Sequence, residues 1–221
     1  MNNAQSGKPY VFCDFDGTIT AEESLQAVLE HFLPREWHRM KSKLESGAVT
    51  LRDGVREMLE SISSDQYPDT LDFVRKIPLR PGFAELLAFL RDRAVPFVVI
   101  SGGVRGMVEA GLGDLTGQVD EIFAVDIDDS GPFLKVHSGF EGGDELVAKA
   151  AVMDRFDTDF RVVIGDGMTD YNMARHGDLV FARDRLAGYL SKNRIDHIQW
   201  NDFYDIRKTL EKRFGQDDNS G

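Results

Sequence analysis

Two aspartates, Asp14 and Asp16, stand two residues apart directly after the apolar run Tyr10-Val11-Phe12-Cys13. Residues i and i+2 of an extended segment point to the same side, so both carboxylates can face one pocket. One can attack phosphorus and become an aspartyl phosphate. The other can protonate the leaving alcohol and then take a proton from the attacking water. Gly17 lets the chain turn sharply away, and Thr18 offers a hydroxyl to that turn or to the phosphoryl group. Two carboxylates and a phosphate repel one another. A divalent cation bridging their oxygens removes that obstacle. Magnesium suits a small oxygen-ligand site that keeps several waters.

Other residues fit the same chemistry. Asp166, in GDGMTD at 165–170, offers another metal ligand, and Asp170 is expected to face the same way one helical turn on. Ser101, Gly102 and Gly103 suit a phosphate cradle, with a hydroxyl and unobstructed N–H groups near a helix start. Lys149 supplies a cation for the transferred group and for the carboxylate that attacks it. Singly these are weak signals. A DxD pair is common by chance, SGG is more often a loop, and a lone lysine is more often on the surface. Their joint order and spacing carry the reading.

Such groups need a scaffold that brings distant segments together. Three apolar runs, 10–13, 96–100 and 160–164, each end in one of the polar segments and lead into helix-like sequence. Leu179-Val180-Phe181-Ala182 is a fourth run. This rhythm predicts an α/β fold, with a parallel sheet covered by helices on both faces. Ligands then bind beyond the carboxyl ends of the strands. Residues 21–78 break the rhythm, with helices expected near 22–33, 35–46, 51–63 and 68–76. Leu25, Val28, Leu29 and Phe32 recur at helical spacing, and Pro34 and Pro68 mark helix starts. The expected organisation is a catalytic core of 1–20 and 79–221 with a helical cap of 21–78, hinged near Thr20-Ala21 and Leu79-Arg80. A helix is expected over 82–93 and a hairpin over 121–141, turning at 128–131. Asp126, Asp128 and Asp129 lack the rest of a calcium-loop pattern and read as a solvated turn.

Composition bounds the partners. The chain has 221 residues, 42% of them hydrophobic, enough for a sizeable core. Its net charge of −12 argues against nucleic acid. One cysteine, Cys13, excludes an intrachain disulfide. Without a signal-peptide core or a membrane-length apolar window, a cytoplasmic protein with no membrane partner is expected. Residues 1–8 read as a loose leader and 215–221 as a frayed tail. A homodimer is the assembly considered.

The motifs DFDGT at 14–18, Ser101, Lys149 and GDGMTD at 165–170 resemble those of the haloacid dehalogenase superfamily. The resemblance spans about 9–214. It implies a Rossmann-like core and a magnesium ion held by Asp14, the backbone carbonyl of Asp16 and Asp166, with Asp170 in support. A helical cap after the first motif is similar to the phosphoserine phosphatase branch. In that branch a glutamate at the position of Glu23 binds the substrate amine; Arg52 and Arg56 are candidates for a substrate carboxylate. Trp37 reads as cap core rather than as a substrate platform. CDFDGTIT, Glu36-Trp37, PFVVISGG, DLVFARDRL at 178–186 and DFYDIRKTLEK at 202–212 are similar to a methionine-salvage family within the branch. That family dephosphorylates 2-hydroxy-3-keto-5-methylthiopentenyl-1-phosphate. Thr169 replaces the asparagine of phosphoserine phosphatases. The expected activity is thus magnesium-dependent hydrolysis of a small phosphorylated metabolite, with that methylthiopentenyl phosphate as the leading substrate. The alternatives are phosphoserine or another small phosphomonoester, a phosphomutase, and a non-catalytic relative, which the intact motifs disfavour.

Overall fold

The computed structural model describes residues 8–217. Its sheet has seven strands: β1 (Pro9–Cys13), β2 (Phe97–Val104), β3 (Glu121–Asp128), β4 (Lys135–His137), β5 (Phe160–Gly165), β6 (Leu179–Ala182) and β7 (Ile198–Gln199). Their spatial order is β4-β3-β2-β1-β5-β6-β7, and every neighbouring pair is parallel except β3 with β4.

The short apolar runs form strands because both faces of the sheet are covered. Side chains alternate between two cores. Phe12, Val98, Ile100 and Val163 join one hydrophobic cluster, while Val11, Cys13, Val99 and Ile164 join the other. The second cluster is closed by α5 (Phe83–Arg91) and α10 (Phe203–Asp217), through residues such as Leu86, Leu90, Phe203 and Ile206. The first is closed by α7 (Lys149–Met153), α8 (Tyr171–Ala174) and α9 (Asp184–Lys192), and it extends into the helices that follow β1.

Those helices are α1 (Ser24–Phe32), α2 (Pro34–Glu45), α3 (Leu51–Leu59) and α4 (Tyr67–Val74). Pro34 opens α2 as expected, and Pro68 lies one residue inside α4. The α3 helix begins under the Thr50 side chain, which accepts from Asp53 N at 3.1 Å. It stops at Leu59, short of the expected 63. The Ile62 carbonyl is taken by Leu134 N at 3.0 Å instead, and Ser64 N donates to Pro132 O at 3.1 Å. The segment after α3 is thereby paired with the β3–β4 hairpin. The chain leaves and re-enters the sheet region through paired strands: Ala21 N donates to Pro78 O at 2.9 Å and Arg80 N to Ile19 O at 2.8 Å. These are the positions expected to hinge.

Two other expectations change. Ser101-Gly102-Gly103 is part of β2, not a loop beyond it, and the register with β3 shifts between Ile100 and Val104. The leader and tail fall largely outside the described residues, and within them α10 runs on through Asp217. The hairpin at 121–141 and its solvated turn are as expected; Ser130 N donates to Asp128 Oδ1 at 2.9 Å. Between β2 and β3, α6 (Arg105–Leu112) packs on β3. No helix among the described residues is long and apolar enough to cross a membrane.

Phe12 is fully buried at the centre of the first core. Phe12→Ala is expected to remove about 3–5 kcal/mol of stability, measurable as a lowered urea midpoint with little change in slope.

Candidate active site

The topology decides where the acids meet. The chain steps from β1 to β2 on one side and returns to β5 on the other, so the crevice opens at the carboxyl end of β1. Cys13 pairs with both Val99 and Ile164, and Asp14 N donates to Ile164 O at 3.0 Å. Asp14 therefore leaves β1 level with the end of β5, where Asp166 follows. Gly17, at φ 74°, turns the chain back across that end. A Cβ on Gly17 would lie 2.6 Å from Asp166 Oδ2.

The acids form a buried crowd. Oxygens of Asp14, Asp166 and Asp170 lie within 4.8 Å of one another. Lys149, 2% exposed at the start of α7, reaches Asp14 and binds Asp170 Oδ1 at 2.6 Å. Asp170 is present for a different reason than helical spacing. A 3-10 turn at Met168–Asp170 folds it back, so that its Oδ2 accepts from Asp166 N at 3.0 Å and Gly167 N at 2.9 Å. Only Gly fits at 165, because a Cβ there would meet the Asp170 carboxyl at 2.7 Å.

Charge explains the titration of this group. Burial and then Asp170 push Asp14 well above its ordinary value, and Lys149 pulls the other way without prevailing. Burial and Asp170 push Asp166 up to about 6, against the bond from Thr18. Burial disfavours charge on Lys149, yet Asp14 and Asp170 outweigh it and raise the ammonium. Asp14 and Lys149 form an ion pair, yet one shift disfavours its charge and the other strengthens it. Three carboxylates around one ammonium account for both. The cation is held firmly while the acids are in surplus. Two negative charges remain in excess, all ligand atoms are oxygens, and Asp170 Oδ1 keeps a free lone pair. The cluster fits a hard divalent cation.

Asp16 stands apart from the crowd. Its Oδ1 accepts from the Ser24 hydroxyl and from Leu25 N at 3.1 Å, and its Oδ2 from Ser101 Oγ at 3.2 Å. Ser101 in turn accepts from Gly103 N at 2.9 Å. Asp16, Gly102 and Gly103 line a cavity of about 590 Å³, together with Asp14, Lys149 and Asp166. Leu25, Leu29, Trp37, Leu51 and Val55 from α1–α3 line the same cavity. Trp37 thus forms cavity wall as well as packing against the core, with its Nε1 donating to Glu30 at 3.1 Å.

Several expected ligands are placed elsewhere. Thr18 is fully buried and donates to Asp166 Oδ1 at 2.8 Å, so it orients a carboxylate rather than facing a phosphoryl group. Arg56 turns away to Val136 O at 3.0 Å and to Glu141, tying α3 to the segment after β4. Arg52 does line the cavity, but its guanidinium donates to Gly143 O at 2.8 Å. Glu23 stands at the mouth, and burial followed by Asp166 and Asp16 raises it to about 7.

Other residues at the site are not among those expected there. Arg80 donates to the carbonyls of Thr18 at 3.0 Å and Gly17 at 2.6 Å, clamping the loop that bears Asp16. Arg183 and Arg185 bring further positive charge to the cavity wall. Ser24 and Leu25 hold Asp16 from a helix start, which reads in sequence as an ordinary helix beginning.

Residues 11–175 match the model of the haloacid dehalogenase-like hydrolases. The chain belongs to that family. A 2-hydroxy-3-keto-5-methylthiopentenyl-1-phosphate phosphatase of Microcystis aeruginosa is 45% identical over 90% of this chain and 96% of its own length. One of the same name from Bacillus mycoides is 32% identical over 91% and 95%. Among solved structures, a phosphoserine phosphatase from T. onnurineus superposes with a TM-score of 0.71 at 20% identity, covering 95% of this chain and 98% of that one. It shares the fold. This enzyme is a phosphatase of the haloacid dehalogenase-like family.

The surplus of carboxylates sets the response to pH. The folded-state value of Asp166 lies above its ordinary 3.8, at about 6. Its protonated form is therefore stabilised by folding, and cation-free protein loses that contribution as pH rises through about 6. A divalent cation competes with the same proton. The rise in melting temperature on adding a saturating divalent cation is expected to be larger at about pH 7.5 than at about pH 5. An equal rise at both would refute the coupling.

Proposed function

We propose that this phosphatase hydrolyses 2-hydroxy-3-keto-5-methylthiopentenyl-1-phosphate through an aspartyl phosphate on Asp14. An Asp14 oxygen attacks phosphorus, the bond from phosphorus to the ester oxygen breaks, and that oxygen takes a proton from Asp16. Asp16 then accepts a proton from water as the water oxygen attacks phosphorus. The bond to Asp14 breaks, and inorganic phosphate leaves with Asp14 restored. Lys149 and the Gly102 N–H stabilise charge on the transferred group, while the Gly103 N–H is taken by Ser101 Oγ. Magnesium is the proposed cation, held by Asp14, Asp166, Asp170 and the backbone carbonyl of Asp16. When bound, it supplies electrostatic neutralisation between carboxylate and phosphoryl oxygens. Residues 21–78 act as a cap over the core formed by 1–20 and 79–221.

The apolar wall carries the substrate assignment. Leu25, Leu29, Trp37, Leu51 and Val55 line the cavity that Asp14, Asp16 and Asp166 also line. A methylthio tail gains by burial there. The ammonium and carboxylate of phosphoserine would lose hydration against the same surface. Of the two expected carboxylate partners, Arg56 is engaged by Glu141, and Arg52, which lines the cavity, donates to Gly143 O. The names of the 45% and 32% identical relatives support the same choice. Glu23 at the cavity mouth favours a second reading, phosphoserine, through its capacity to pair with an amine.

Phosphate release across a panel of phosphomonoesters separates the two. The methylthiopentenyl ester is expected to exceed phosphoserine in kcat/KM by on the order of a hundredfold. Parity or reversal would favour the phosphoserine reading, and substrate isomerisation without net phosphate release would indicate a mutase. Asp14→Asn should abolish turnover of every ester while the far-ultraviolet circular dichroism stays native. Retained turnover would remove the nucleophile assignment.

A further inference from the structure

Helix α1 begins without a cap of its own. Glu23, the residue before it, makes no side-chain capping bond. The first N–H groups of a helix need acceptors, and here Leu25 N finds one in Asp16 Oδ1 at 3.1 Å. The hydroxyl of Ser24, the first helical residue and 1% exposed, donates to the same oxygen. A carboxylate from the β1 loop thus caps the helix from outside. Both lone pairs of Oδ1 are then used. Oδ2 accepts one bond, from Ser101 Oγ at 3.2 Å, and keeps one lone pair. Asp16 lines the cavity, so a transferable proton has one place to sit, on Oδ2.

We propose that Ser24, with the first turn of α1, is a positioning residue for Asp16, fixing which carboxyl oxygen handles the proton. The inference rests on the acid and base role proposed for Asp16. Ser24 touches neither phosphorus nor the leaving group. It acts by saturating Oδ1 and locking the carboxyl rotation, so that protonation of the ester oxygen and deprotonation of water use one geometry. A hydroxyl that served only to start a helix would affect all substrates alike.

Leaving-group dependence tests this. An alkyl phosphomonoester needs a proton on its departing oxygen, whereas p-nitrophenyl phosphate does not. Ser24→Ala is expected to lower kcat for an alkyl phosphomonoester about tenfold or more with KM little changed. The first turnover of p-nitrophenyl phosphate, followed by rapid mixing, is expected to stay within about twofold of wild type. Its later turnovers should slow, because water activation also uses Asp16. Ser24→Thr and Ser24→Val form a pair of equal bulk that separates the hydroxyl from packing should the alanine variant fold poorly. Thr should behave as wild type and Val as Ala. Equal slowing of both leaving groups, or no slowing of either, overturns the proposal. Asp16→Asn is the control. If it shows no leaving-group selectivity, the acid and base reading of Asp16 fails. If it does and Ser24→Val does not, only the role of Ser24 fails.

Discussion

The ammonium of Lys149, shared by Asp14 and Asp170 inside a buried crowd of three carboxylates, is the constraint on which the rest of the structure depends. Like charges this close raise one another's pKa and cost free energy that one cation does not offset. A site of this kind persists only when rigid elements surround it. Each member is fixed by a different one: Asp14 by the end of β1, Asp166 by the end of β5, Asp170 by the 3-10 turn, and Lys149 by the start of α7. The residual negative charge attracts a dication, and a dication makes the site tolerable to a phosphoryl group.

Asp14 and Asp16 illustrate how two identical side chains acquire two environments. They are two residues apart, yet their surroundings differ. Asp14 faces buried carboxylates and an ammonium. Asp16 faces hydroxyl and N–H donors from α1 and β2. Carboxylates placed in contrasting environments divide into separate chemical roles. Gly17 makes the division possible by turning the loop at positive φ, and Arg80 holds the turned loop by its carbonyls.

The parts of this arrangement that were legible in sequence follow from local rules. The strands announce themselves as short apolar runs, because both sheet faces are buried and alternate residues enter different cores. Asp14, Asp166, Asp170 and Lys149 follow from chemistry joined to spacing. What escaped is what depends on distant partners. Thr18 meets Asp166 across 148 positions, and Arg56 meets Glu141 across 85. No periodicity encodes such pairings. The same holds for Arg80, whose partners are backbone carbonyls, and for Ser101-Gly102-Gly103. Those glycines look like a loop, but neighbouring strands draw them into the sheet at the cost of a register shift.

Fold and mechanism together do not choose a substrate, since structures at about 20% identity share this architecture and fold alone hosts many specificities. The helices between β1 and α5 supply the apolar part of the cavity lining. Their placement puts Leu25, Leu29, Trp37, Leu51 and Val55 in the lining of the cavity that holds the carboxylates. The same placement sends Arg56 to the hairpin side, where it anchors α3 instead of reading a ligand. Anchoring and selectivity are thus linked. A rotation of α3 that freed Arg56 for a substrate carboxylate would break its bond to Val136 and carry Leu51 and Val55 out of register with the wall. One helix thus does both jobs: Leu51, Arg52 and Val55 line the cavity, while Arg56 on the same helix is engaged by the hairpin.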